Sequence, residues 1–207
     1  MNANHVITIG RQLGSGGREI GQKLSELLRF SFYDKELICI ASRESGLNEK
    51  YFEKADEKKR FSLFGSISGF RGLDATHTMN YYLTDETLFK IQSDVIRKLA
   101  AQKSCIFVGR CADYVLKDNP GILSLFITAN IDDRIKRVAA LQNLPENKAR
   151  THIERTDRER ARYYNYFSGR DWGAAEHYHL CINSSVLGID ETVEVIGRLA
   201  QKRFGLR

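Results

Sequence analysis

Short, unbroken apolar runs alternate along this chain with longer stretches in which apolar positions recur every three or four residues. Val6-Ile7-Thr8-Ile9 is β-branched and continuous, which predicts a short buried strand. A glycine-rich turn from Gly10 to Gly17 follows, and then a helical pattern with Ile20, Leu24, Leu27 and Leu28 on one side. Phe32-Tyr33 predicts a brief second strand, with Asp34 as N-cap of a helix reaching about Ser45 and ended by Gly46. Residues 48–102 are mainly helical in pattern. They are broken over 61–78, where Gly65, Gly69 and Gly72 mark a mobile loop or a lid-like excursion. Leu88, Ile91, Val95, Ile96 and Leu99 then trace one face of an amphipathic helix.

The second half repeats the alternation. Cys105-Ile106-Phe107-Val108 predicts a third buried strand, stopped by Gly109-Arg110, and a short helix to Leu116 leads into the turn Asp118-Asn119-Pro120-Gly121. Residues 122–127 form a fourth strand and 132–142 a helix. Pro145 suits the first turn of a long basic helix reaching about Tyr166. Leu180-Cys181-Ile182 is a fifth strand, and Asp190 is placed to cap the last helix, through Val193, Ile196 and Leu199. Near-continuous apolar strands separated by helices imply a five-stranded parallel sheet covered by helices on both faces, an α/β fold. Ligands of such folds gather beyond the carboxyl ends of the strands, where the Gly10–Glu19 segment, Asp34 and Gly109-Arg110 all fall.

Composition narrows the setting. The 207 residues suit one domain with a small insertion, 42% of them are apolar, and only two are proline. No apolar run approaches the roughly eighteen residues of a membrane span, and the first residues lack the layout of a signal peptide. Cys39, Cys105, Cys111 and Cys181 show no CxxC spacing and are expected as buried free thiols in a reducing, cytoplasmic setting. The net charge of +6 is concentrated between Lys148 and Arg170, where seven basic residues face three acidic ones. A local cluster suits a phosphate-bearing small molecule better than nucleic acid, which prefers a broader basic face; a solvated charged helix is the plain alternative. The five histidines have no metal-ligand spacing, and Tyr163, Tyr164, Tyr166, Phe167 and Trp172 are expected to serve in packing.

Gly14-Ser15-Gly16-Gly17 between a strand and a helix predicts an anion cradle. Its glycines let backbone amides turn inward, and the helix directs its positive dipole end at the same point. Arg11 and Arg18 flank it. The usual pattern G-x-x-x-x-G-K-[ST] is not met: with Gly16 as second glycine, Gly17 replaces the lysine and Arg18 the hydroxyl residue. With Gly17 in that place, Arg18 and Glu19 do so, and in either register the first glycine is absent. Arg18 is then the candidate for the missing charge, and Ser15 or Glu19 for contact with magnesium. On a helix, Arg155, Arg158, Glu159 and Arg162 share one face, while Asp157 and Arg160 form a second i, i+3 pair. The pattern leaves open which face meets a substrate.

In this order the segments resemble the cytidylate kinase-like family, a divergent relative of bacterial cytidylate kinases. Residues 7–21 (ITIGRQLGSGGREIG) are similar to its opening signature, whose lysine-free glycine loop is the family's own form. Residues 32–38 (FYDKELI), 107–110 (FVGR), the Arg134–Arg137 pair, 155–164 (RTDRERARYY), and 181–185 with 187–190 are similar to later segments. The resemblance implies a P-loop NTPase-type, nucleoside monophosphate kinase-like fold in a single domain. Roughly residues 48–86 would be a helical acceptor-binding insertion and residues 143–170 an arginine-rich lid. It implies a phosphotransferase that uses ATP and Mg²⁺ on CMP or dCMP, with small-molecule nucleotides as its partners.

The implied phosphate site is Arg11, Gly14, Ser15, Gly16, Gly17, Arg18 and Glu19. Asp34, Arg110 and Asp113 would hold the acceptor, although Cys111 stands where cytidylate kinases have an aspartate. The lid would be Arg155, Asp157, Arg158, Arg160 and Arg162, with Arg18, Arg110, Arg155 and Arg160 acting on the transferring group. A kinase for another small acceptor, or a nucleotide sensor without turnover, is the alternative that the absent lysine raises.

Overall fold

β1 (Val6–Arg11) lies at the centre of a sheet of order β2-β3-β1-β4-β5, in which β2 is Ser31–Tyr33, β3 Cys105–Val108, β4 Ile122–Thr128 and β5 Leu180–Asn183. Every pairing is parallel. The register sets Ile9 beside Val108 and Leu125, so the turns after β1, β3 and β4 open on one edge. The computed structural model describes residues 4–34 and 75–206, with side chains from 86 onward in the second stretch. The chain divides into two units, one formed by residues 1–35 with 96–207 and the other by 36–95. The helix expected over 35–45 and most of the expected insertion and excursion lie outside the described residues.

β1, β3 and β4 are apolar and buried along nearly their whole length because both faces are covered. On one face Ile7, Ile9, Ile106, Val108 and Leu125 meet Ile20 and Leu24 of α1 (Gly17–Leu28) and Val193, Ile196 and Ala200 of the last helix. On the other, Phe126 meets Trp172 and Tyr178, with ring centroids 5.1 and 5.0 Å apart. α2 (Ala75–Gln102) precedes β3, and α3 (Ala112–Val115) is a single turn after it. α4 (Ile131–Gln142) and α5 (Glu146–Ser168) pack together through Ile135, Val138, Ala149 and Ile153, with Leu13 of the glycine loop against them.

Five details differ from the sequence expectation. Residues 75–78, assigned to the broken stretch, are already helical. Leu27 is half exposed, although its side chain lies against Gly197 of the last helix. Pro145 is the N-cap of α5 and not part of its first turn, since its ψ of 147° is extended. The last helix, α6 (Ser184–Phe204), begins earlier than Asp190. Asn183 caps it by accepting from the Ser185 amide, and Asp190 follows a break at Gly188 and pairs with Lys23. Cys181 is exposed because β5 is an edge strand, whereas Cys105 and Cys111 are buried as expected; Cys39 lies outside the described residues.

Candidate active site

The loop from Arg11 to Gly16 has every backbone carbonyl occupied. Arg160 Nη1 donates to the carbonyl of Arg11 at 3.0 Å, and Ser15 Oγ to that of Gln12 at 2.9 Å. Arg134 Nε donates to Leu13 at 2.8 Å, Arg137 Nη1 to Gly14, and Ser184 Oγ to Ser15 at 2.7 Å. The Gly16 carbonyl takes the first helical bond, from the Ile20 amide. The amides divide differently. Gln12 donates to Ile127, Leu13 to Asp157 and Ser15 weakly back to Gln12, while no acceptor among the described residues meets the amides of Gly14, Gly16 and Gly17. With its acceptors tied off and glycine donors left over at the start of α1, the loop has the polarity of an anion site.

Its shape is held from outside. Gly14 and Gly16 have φ of 79° and 78°, which only glycine adopts without strain. A β-carbon on Gly14 would stand 2.8 Å from the Arg134 carbonyl, so α4 presses directly on the loop. Asp157 links the pieces: one oxygen accepts from the Leu13 amide at 2.8 Å and the other from Arg134, whose side chain is 7% exposed. Arg160 is 3.9 Å from the same carboxylate. Burial pulls the Arg160 guanidinium below its ordinary pKa, and Asp157 opposes that shift.

β3 ends in a second unusual turn. Gly109, Arg110 and Cys111 take positive φ in succession, at 86°, 56° and 53°. The conformation costs a non-glycine residue about 1–2 kcal/mol, and it folds the chain sharply at the ligand edge. The Arg110 guanidinium lies 5.4 Å from the Tyr163 ring of α5. Behind it Asp113 accepts the Tyr164 hydroxyl at 2.7 Å in a buried setting. Burial raises the Asp113 pKa, with the Tyr164 hydroxyl opposing, and pushes the Cys111 thiol up to about 12. Between the two turns is a cavity of about 270 Å³, walled by Arg11, Arg110, Asp113, Arg160, Tyr163 and Trp172 among others.

These observations bring together Arg11, Gly14, Gly16, Gly17, Arg110, Asp113, Asp157 and Arg160 of the expected site. The other members stand differently. Ser15 is fully buried, with its hydroxyl turned onto the loop. Glu19 is exposed, 3.5 Å from Lys23. Arg18 and Asp34 are bonded to each other at 2.8 Å. Arg155, Arg158 and Arg162 lie on the exposed side of α5, where Arg155 pairs with Glu159 at 3.8 Å. Of the two helix faces, the one that carries Asp157 and Arg160 turns inward against the loop.

Comparison with known proteins agrees with this architecture. The family described as cytidylate kinase-like matches residues 6–186.

The chain belongs to the cytidylate kinase-like family.

A curated cytidylate kinase from Sulfurisphaera tokodaii is 27% identical over 107 residues, covering 52% of this chain and 59% of that protein. The chain therefore matches under two thirds of that relative's length. A crystal structure of an uncharacterized protein from Eubacterium ventriosum has a TM-score of 0.73 at 26% identity, covering 96% of this chain and 99% of its own. Shikimate kinase from Acinetobacter baumannii, solved with shikimate, shares the fold at a TM-score of 0.53 and 14% identity, over 97% and 95% of the two chains. The fold is that of the P-loop kinases.

Within this cytidylate kinase-like chain, several residues escaped the sequence pattern. Trp172, Tyr163, Tyr164 and Tyr178, expected only to pack or not singled out, line the cavity. Arg134 and Arg137, named in the sequence only as a pair similar to a family segment and given no role there, hold the loop. Ser184 carried no comparable signal, because its bond to the loop crosses 169 positions.

Proposed function

We propose that this chain transfers the γ-phosphoryl group of ATP to CMP or dCMP. The observation that carries the reading is the tied-off loop with its unbonded glycine amides, opening beside a cavity walled by Arg11, Arg110 and Arg160. A cradle of amides suits the donor's phosphates, and a neighbouring pocket with aromatic walls and an arginine suits a nucleoside monophosphate. The acceptor's phosphate oxygen attacks the γ-phosphorus as the bond to the ADP oxygen breaks. The protein's task is to place the two groups and offset their charge. Arg110 is assigned to the acceptor, and Asp113 with Tyr164 to the floor of its pocket.

Arg160, now on the Arg11 carbonyl, is assigned to the transferring group. Magnesium enters as the chelate of the triphosphate. Among the described residues no three acidic, histidine or cysteine side chains gather to hold a metal ion, and Ser15 is committed to Gln12. The test is phosphoryl transfer from ATP·Mg²⁺ to a panel of nucleoside monophosphates and small hydroxyl acceptors. CDP or dCDP as the leading product supports the reading. Turnover of a different acceptor moves the substrate, and tight ATP binding without any transfer replaces the enzyme with a sensor.

A further inference from the structure

We infer that Arg11 takes the place of the missing lysine, through an exchange of positions within the loop. In the register that sets Gly16 as the second glycine of G-x-x-x-x-G-K, the first glycine position is Arg11 and the lysine position is Gly17. The side chain absent from one position has appeared at the other. The geometry shows why the two changes belong together. A β-carbon on Gly17 would lie 2.6 Å from Arg11 Cβ and 3.0 Å from its Cγ, so the arginine stem fills the space where a lysine at position 17 would begin.

The head of Arg11 is equally well defined. Its Nη1 would be 2.0 Å from a β-carbon on Gly109, so the guanidinium lies against the turn that ends β3, and Arg11 lines the cavity beside Arg110. Gly17 and Gly109, lacking side chains, form the two walls of a channel for it. The cation therefore leaves the end of β1, passes the start of α1 and stops between the phosphate loop and the Gly-Arg turn. Arg18, the other candidate for this charge, is 2.8 Å from Asp34, which is nearly buried at the end of β2.

Resting on the proposed kinase reading, this assigns Arg11 as the residue that contacts the donor's terminal phosphates. It offsets the charge shared between them while the γ-phosphoryl bond passes from ADP to the acceptor oxygen. A planar, permanently charged fork from the strand replaces a point charge from the helix.

The test compares ATP·Mg²⁺ affinity by calorimetry, transfer to CMP, and thermal melting for wild type and five variants. These are Arg11→Met, Arg11→Gly, Gly17→Lys, the double variant Arg11→Gly/Gly17→Lys, and Arg18→Met. Arg11→Met keeps the apolar stem and a wild-type melting profile, and is expected to bind ATP at least about tenfold more weakly. Gly17→Lys alone is expected to lose binding through collision with Arg11. The double variant is expected to regain at least half of the affinity that Arg11→Gly loses. Wild-type affinity in Arg11→Met overturns the inference. So does a larger loss in Arg18→Met than in Arg11→Met, or a folded double variant that binds no better than Arg11→Gly. Binding that follows the expected order while no phosphate reaches CMP leaves the inference standing and removes the proposed reaction. A wild-type protein that binds no ATP removes both.

Discussion

Arg18 Nε donates to Asp34 Oδ2 at 2.8 Å, and this bond ties the first turn of α1 to the end of β2. The sequence alone set these residues in different roles, one at the donor and one at the acceptor. In the fold they are a single unit. Arg18 is 61% exposed and solvent screens its charge, so the coupling between them is expected to be about 0.5–1 kcal/mol. A double-mutant cycle of Arg18→Ala and Asp34→Asn, read by urea unfolding, measures it; additive effects would show that the pair does not persist in solution.

Asp157 supports far more. Its carboxylate is 15% exposed and serves both the Leu13 amide and Arg134, so Asp157→Ala leaves a buried cation and a loop amide unanswered. The expected loss is about 3 kcal/mol, which for a chain of this size lowers the melting temperature by about 6–12 °C. Calorimetric melting checks it, and a loss under about 1 kcal/mol would mean that the loop is held by its other bonds.

Asp113 gives a pH dependence with a definite sign. Burial holds its carboxyl above the ordinary value of 3.8, with the Tyr164 hydroxyl opposing. A carboxyl that binds its proton more tightly when folded favours the folded state below the unfolded pKa. That advantage is lost as pH rises through the folded value. Asp113→Asn retains an acceptor for Tyr164 but has no charge to bury. Its stability is expected to match wild type near pH 3.8 or below and to exceed it increasingly as pH rises toward neutrality. Urea unfolding at stepped pH is the measurement, and a pH-independent difference would contradict it.

Arg160 and Arg110 separate in kinetics if the proposed reaction holds. Arg160 bonds the Arg11 carbonyl in the structure and is assigned to the transferring group only during reaction. Arg160→Ala is expected to lower kcat by about 10²-fold with a smaller change in KM.

Arg110→Ala is expected to raise the KM for the monophosphate by about tenfold while the KM for ATP changes little, because Arg110 lies at the Gly-Arg turn beyond the loop. Steady-state kinetics with each substrate varied distinguishes the two, and equal effects on both KM values would reject the division of labour.

The parts of this fold legible in sequence are those with local causes. Val6-Ile7-Thr8-Ile9 and Cys105-Ile106-Phe107-Val108 are read directly as buried strands, and Gly10 to Gly17 as a glycine-rich turn, in which the structure gives Gly14 and Gly16 positive φ. Asp190 was misread because a helix that starts at Ser184 and breaks at Gly188 imitates a cap at the later position. The inward face of α5 was not legible. Arg155, Arg158 and Arg162 match Arg160 in chemistry, and only packing through Ile153 and Tyr164 decides which arginine meets the loop. The cavity's aromatic walls were hidden for a similar reason, since Tyr164 and Trp172 pack as ordinary apolar residues until Asp113 and Phe126 are placed beside them.

The arginines that clasp the loop also set a clock on synthesis. The bonds to residues 11, 13, 14 and 15 reach forward across 149, 121, 123 and 169 positions, to donors that leave the ribosome long after the glycines do. An emerging chain can pair β1 with β3 and β4 before Arg160 or Ser184 has left the ribosome. Contacts this distant in sequence form late. The clasp on the glycine loop is thus expected among the last features to take shape, and under the proposed function a nascent or truncated chain would hold an incomplete cradle for nucleotide.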